Sequence, residues 1–165
     1  MDRDAFFHHY IGCDIQWGFP DRRKIGKLVG KTEPYGWQIF DPSNVIVPYH
    51  AVRPDLITLI LRKLPDITDE EFKEVLLRMY LDSSREFAEI GISKVVRVMG
   101  VKHITKYGYD IPYVAYSNND LETSGILSPG KLNASQLSYL FSIGVDMFDL
   151  IEQQIAVNKK TFKKL

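Results

Sequence analysis

One cysteine in 165 residues, Cys13, excludes an internal disulfide framework and a cysteine-rich zinc site. Long apolar runs are missing too. The longest apolar neighbourhood, residues 56–64, is broken by Thr58, Arg62 and Lys63, and falls far short of the roughly 20 residues that span a bilayer. No charge of one sign prevails, since Lys plus Arg and Asp plus Glu each number 21. Dedicated polyanion or membrane-surface binders are usually basic, so the net charge of zero gives no reason to expect either. Walker-type and Rossmann-type glycine patterns are absent. Gly26-Lys27-Leu28-Val29-Gly30-Lys31 holds a Gly-Lys pair without the spacer and following helix of a phosphate loop, and reads as a glycine-containing strand. No repeat, low-complexity stretch or separating linker stands out. The sequence therefore implies no cofactor, no metal and no membrane. The acidic start Met1-Asp2-Arg3-Asp4 is followed by no signal-peptide apolar core, which with the single thiol implies a cytoplasmic protein.

What is present is an apolar share of 45% and an aromatic share of 12%, enough to build a packed core rather than a disordered chain. From Tyr10 the texture is β. Ile11, Cys13, Ile15 and Trp17 alternate along one face, and 18–23 form a polar loop with turn formers. Residues 24–31 read as a second strand, in which Gly26 and Gly30 mark a bulge or a close backbone approach. Residues 37–40, 45–47 and 56–64 read as three more strands, separated by turns at 33–36 and 41–44 and a loop at 50–55. Five short strands joined by tight turns predict a small antiparallel β-barrel or rolled sheet, SH3-like in strand count and spacing.

The texture then turns helical. Thr68-Asp69-Glu70-Glu71 is a capping box, with three acids at the positive end of the helix dipole. Phe72, Val75, Leu76 and Met79 come next as a helical stripe, and Phe87, Ile90 and Gly91 suggest a second short helix and its end. Residues 95–101 and 111–116 read as strands, and 117–130 as a polar loop. Asn133 opens the last helical segment, striped by Leu137, Leu140, Phe141, Phe148 and Ile151. Gly144 on that stripe is either a small residue under a packing contact or a C-cap that splits the helix; the split is favoured, because Asp146 then caps the second piece. The expectation is a single α+β domain over residues 1–165: 1–66 mainly β, 67–91 helical, 92–117 β, 133–155 helical, and a frayed Lys-rich tail at 156–165, with the helices packed beside the N-terminal sheet.

Tyr10-Ile11-Gly12-Cys13, Ile60-Leu61-Arg62-Lys63-Leu64-Pro65-Asp66-Ile67-Thr68, Gln136-Leu137-Ser138-Tyr139-Leu140-Phe141, Phe148-Asp149-Leu150-Ile151 and Ala156-Val157-Asn158-Lys159 resemble a family of small uncharacterised proteins of Bacteroidetes genomes and of the phages and prophages of those bacteria. Gln153 and Gln154 depart from it by standing where small residues are expected, and residues 95–130 match nothing in it. The resemblance implies a phage or mobile-element origin, and with it a place in the bacterial host's cytoplasm or in the virion, and no particular activity.

The chemistry-bearing residues are few. His8 and His9 are adjacent and share no face, and His50 and His103 lie far off, so no spacing argues for a metal. Cys13 with His50 and Asp41 or Asp14 has the composition of a thiol nucleophile and its base, but Cys13 on an apolar strand face reads as a structural thiol. Asp69, Glu70, Glu71 and Glu74 are explained by capping and solvation. Asp146, Asp149 and Glu152 line one helical face, open to a cation, a basic partner or plain solvent. Arg22, Arg23 and Lys24, flanked by Trp17 and Phe19, are the kind of basic, aromatic loop that holds single-stranded nucleic acid, and Lys159, Lys160, Lys163 and Lys164 form a second basic group. Tyr107, Tyr109, Tyr113 and Tyr116 crowd one short region. Tyrosine favours interfaces, because it buries a large area and keeps a polar tip, so this cluster points to a protein partner or to self-association. The functional expectation is a non-enzymatic interaction or structural protein of a phage or mobile element, a virion component or host-takeover factor. The second reading is a nucleic-acid or nucleotide-binding module that uses Trp17, Arg22, Arg23 and Lys24.

Overall fold

The computed structural model describes residues 3–32, 36–79, 95–106, 109–118, 124–127 and 129–162. They form two compact units. One comprises Met1–Arg62 with Phe141–Leu165, the other Lys63–Leu140.

The first unit is built on a mixed sheet of seven strands: β1 (Asp14–Trp17), β2 (Lys24–Thr32), β3 (Gly36–Phe40), β4 (Tyr49–Val52), β5 (Ile57–Lys63), β9 (Val145–Asp146) and β10 (Ala156–Asn158). Their order is β10-β5-β1-β2-β3-β4, with β9 also paired to β5. β1 to β4 form an antiparallel meander. After a 3-10 turn at Pro54–Leu56, β5 returns to lie antiparallel to β1, Ile15 opposite Leu59. β10 runs parallel to β5. The expectation of α+β structure with an N-terminal sheet is met, and closure into a barrel is not. To close, the outer edge of β5 would have to meet β4, but β10 occupies it.

The core explains these strands. Ile15, Leu28, Trp37, Ile39, Ile57, Leu59 and Leu61 are fully buried. The short helix α1 (Asp4–Phe7) and the 3-10 turn His8–Tyr10 add Phe7 and Tyr10, and the C-terminal segment adds Leu150, Ile155 and Ala156. Asp4 fixes α1 to the sheet, since the Trp37 indole N–H donates to its carboxylate and Lys31 pairs with it at 3.0 Å.

Three local readings are corrected. Residues 45–47 are no strand. The β-branched triplet satisfies the local pattern, but the chain closes a loop instead, with the Asp41 amide donating to the Pro48 carbonyl at 2.7 Å, and the strand falls on Tyr49–Val52. Residues 145–155 are not helical. Gly144, at φ 73°, takes the left-handed conformation that ends a helix and favours glycine, and β9 and a run of turns come after it. Asp146 does cap, though not a helix: its carboxylate accepts from the amides of Phe148, Leu150 and Ile151 at 3.2, 2.9 and 2.8 Å. The tail is not frayed at its start, because residues 156–158 form β10 beside a buried central strand.

The second unit contains α2 (Asp69–Leu77), α3 (Ala134–Ser142, whose last two residues count with the first unit) and a three-stranded antiparallel sheet of β6 (Val95–Lys106), β7 (Tyr109–Asn118) and β8 (Ser124–Leu127). The capping box of α2 is present as expected: the Glu71 amide donates to Thr68 Oγ1, and the Thr68 amide to the Glu71 carboxylate. Asn133 and Gln136 form the equivalent reciprocal pair at α3, each bond 2.9 Å. The buried Gln136 amide also donates to the Val75 carbonyl at 2.8 Å. β8 lies where a polar loop was expected. The expected second short helix at 83–91 lies outside the described residues.

Candidate functional site

β2, β3, β4 and the loop at 41–48 build a polar cluster around Asp41. Its carboxylate has no accessible surface. Oδ1 accepts from the Ser43 amide at 2.9 Å and the Ser43 hydroxyl at 2.5 Å, and Oδ2 accepts from Lys24 Nζ at 3.1 Å. The Ser43 hydroxyl is the main cause holding this carboxyl below its ordinary value; desolvation opposes it, and the Lys24 charge adds to it. His50 Nε2 stands 3.9 Å from Oδ2, beyond hydrogen-bond length. The His50 ring packs on Trp17 at 4.9 Å between centroids, and Lys24 Nζ sits 5.5 Å from the Trp17 ring. Gly26 lies beneath, where a side chain would meet the Phe40 carbonyl oxygen at 2.6 Å and Trp17 Nε1 at 3.1 Å. That is the close approach the glycine signalled, while Gly30 falls at the β2–β3 register shift.

Asp41 also organises the loop beyond it. The Asn44 amide donates to the Asp41 carbonyl at 3.2 Å, and the Val47 amide to Asn44 Oδ1 at 3.1 Å. The loop is thus held by its own polar groups. Its apolar side chains face outward: Val45 is 90% and Ile46 91% exposed, and Val47 and Tyr49 about half exposed. Three consecutive β-branched residues in solvent on an ordered loop are what sequence reasoning missed. Their signal was legible, because Asp41-Pro42-Ser43-Asn44 and Pro48 bracket the triplet with turn formers.

The expected nucleic-acid residues are only partly brought together. Arg22 is exposed and 3.6 Å from Asp21, and Arg23 donates to Gln16 at 2.9 Å. Lys24 is committed to Asp41. Trp17 is half-buried between His50 and Lys24, and Phe19, 65% exposed, is the free aromatic of that loop. Of the tyrosine cluster, Tyr107 lies outside the described residues. Tyr109, Tyr113 and Tyr116 fall on β7 at register positions opposite Lys106, Lys102 and Arg97 of β6.

Cys13 and His50 have different surroundings. The buried Cys13 thiol donates to the Phe141 carbonyl at 3.3 Å, and burial pushes its pKa to about 11, so it is a thiol and not a thiolate at neutral pH. It borders a small pocket of about 130 Å³ with Asp14, Lys27, Ser142 and Lys159, in which Asp14 pairs with Lys27 at 3.3 Å and Lys159 at 3.2 Å. His8 packs its ring on Trp37, and His9 packs on Phe141 and Phe148. Among the described residues, no three His, Cys, Asp or Glu side chains group as a metal site requires, and no helix is long and apolar enough to cross a membrane.

Compared with protein-family models, curated proteins and solved structures, the chain matches none.

Proposed function

We propose that the chain is a non-enzymatic interaction or structural protein, of the phage or mobile-element kind that its family resemblance implies, and that it works through a protein contact rather than through chemistry on a small molecule. The observation that carries this is the loop at 41–48, which holds Val45 and Ile46 in solvent on a hydrogen-bonded frame. A monomer gains nothing from burying polar groups to fix an apolar tip outward, whereas a binding surface gains, because a preorganised loop loses little entropy on docking. An SH3-like roll is the finer form of the fold that the strand order supports: a short meander whose fifth strand, after a 3-10 turn, returns beside the first. A photoreactive residue at Tyr49, in the producing cell, tests the reading. It is expected to give a discrete protein adduct that Ile46→Asp abolishes with the melting temperature unchanged. No adduct, or one indifferent to Ile46→Asp, sinks it.

A second reading, single-stranded nucleic-acid binding, is favoured by exposed Phe19 beside Arg22 and Arg23 on the β1–β2 loop. It requires salt-dependent binding of an oligonucleotide that Arg22→Ala with Arg23→Ala removes; binding that survives the double variant excludes this site.

A further inference from the structure

We infer that the loop at 41–48 and the adjoining outer edge of β4 form the interface of a two-fold symmetric dimer of this chain. The inference rests on the proposed function, that the chain acts through a protein contact, and names the partner as a second copy.

Area is the first observation. Val45, Ile46, Val47 and Tyr49 together offer on the order of 500 Å² of accessible side chain, close to the apolar share, about 65%, of the about 800 Å² that each partner contributes to a standard interface. Two such patches, each packed on the other copy, supply the apolar area of a symmetric interface of ordinary dimensions.

The sheet edge is the second. β4 ends the strand order, and no strand pairs with its outer side among the described residues. An unpaired edge is a template for another strand, and antiparallel pairing of one edge with its own copy is two-fold symmetric by construction. Tyr49 begins this strand, so the edge and the apolar tip are continuous. Pairing edge to edge brings the loop of each copy onto the neighbouring strand of the other, and both exposed features are covered by one contact.

Charge is the third. Residues 45–49 carry none, and the whole chain has a formal net charge of zero, so two copies approach without the mutual repulsion that keeps charged proteins apart. A strongly basic or acidic partner has nothing to recognise on this surface.

The test uses the full chain. Sedimentation velocity across a wide concentration range is expected to show a monomer–dimer equilibrium that Ile46→Asp shifts at least tenfold toward monomer. At 91% exposure the residue contributes little to folding, and an unchanged melting temperature checks this. A concentration-dependent dimer that Ile46→Asp weakens supports the inference. A wild type that stays monomeric over the whole range, or a dimer indifferent to Ile46→Asp, overturns it. If the photoreactive residue at Tyr49 then captures a different protein, the second copy is excluded while the interaction reading stands; if it captures nothing, both fall.

Discussion

Buried polar side chains decide more of this protein than their number suggests. Tyr10 lies fully buried, and its hydroxyl donates to the Val145 carbonyl at 3.2 Å and accepts from the Met147 amide at 3.1 Å. One atom thereby ties the N-terminal turn to the segment after Gly144. Tyr10→Phe should keep the packing but leave two backbone groups unpaired, costing about 1–3 kcal/mol in urea unfolding. Gly26 is a second point of control. A methyl group there collides with the Phe40 backbone and presses on Trp17, so Gly26→Ala should cost about 1–3 kcal/mol and shift the tryptophan emission. An unchanged emission spectrum would mean that the Trp17 packing is slack. Gly26 could be singled out in the sequence as a glycine inside a strand. Its reason, an indole from one neighbouring strand and a carbonyl from the other, could not.

Elements obey local signals where these are complete and depart from them where the chain must close on itself. The α2 capping box is complete in four residues and forms as written. Thr68→Ala should therefore destabilise by about 1 kcal/mol, with helical signal lost in proportion, read by thermal melting. No effect would mean that the helix end is held from elsewhere. The triplet at 45–47 has strand propensity and lies in a loop, because propensity says nothing about where a chain reverses. Here the reversal is fixed by Asp41, Asn44 and the Pro48 carbonyl. The stripe from Leu137 to Ile151 reads as one long helix or two short ones. Its second half instead wraps around the Asp146 carboxylate, three amides converging on a single side chain. Burial outweighs those amides and raises the Asp146 pKa, so the cap forms at the expense of a poorly solvated charge.

At the scale of the molecule, charge balance hides a set of carboxylates held in specific pairs. Asp4 is lowered by the Trp37 indole and Lys31, and Asp41 by Ser43 and Lys24; in Asp14 the bonds from Lys159 and Lys27 outweigh the effect of burial. Each folded-state pKa lies below its unfolded value. The stability they contribute is full above about pH 4, the unfolded value for aspartate, and is lost as pH falls through the lowered folded values. The urea midpoint should therefore fall steeply below about pH 4, while the raised Asp146 works in the opposite sense, adding stability as its carboxyl takes up a proton on acidification. In Asp41→Asn the midpoint should start lower and the acid slope should be shallower. An identical slope would remove Asp41 from the account.

The sequence by itself determined the class of fold, the absence of a disulfide framework, the capping of α2, the glycines that let strands approach, and the charge balance that removes repulsion between copies. These are local or compositional properties, fixed by neighbours within a few residues. Only the tertiary structure decided that β10 takes the outer edge of β5 and leaves the sheet open, that half-exposed Lys24 pairs with the buried Asp41, and that Val45 and Ile46 point outward. Each of these depends on partners far apart in the chain, or on how a loop closes. Periodicity and propensity carry no information about either, because pairing across long separations is settled by which edges and carboxylates find each other once the core has formed.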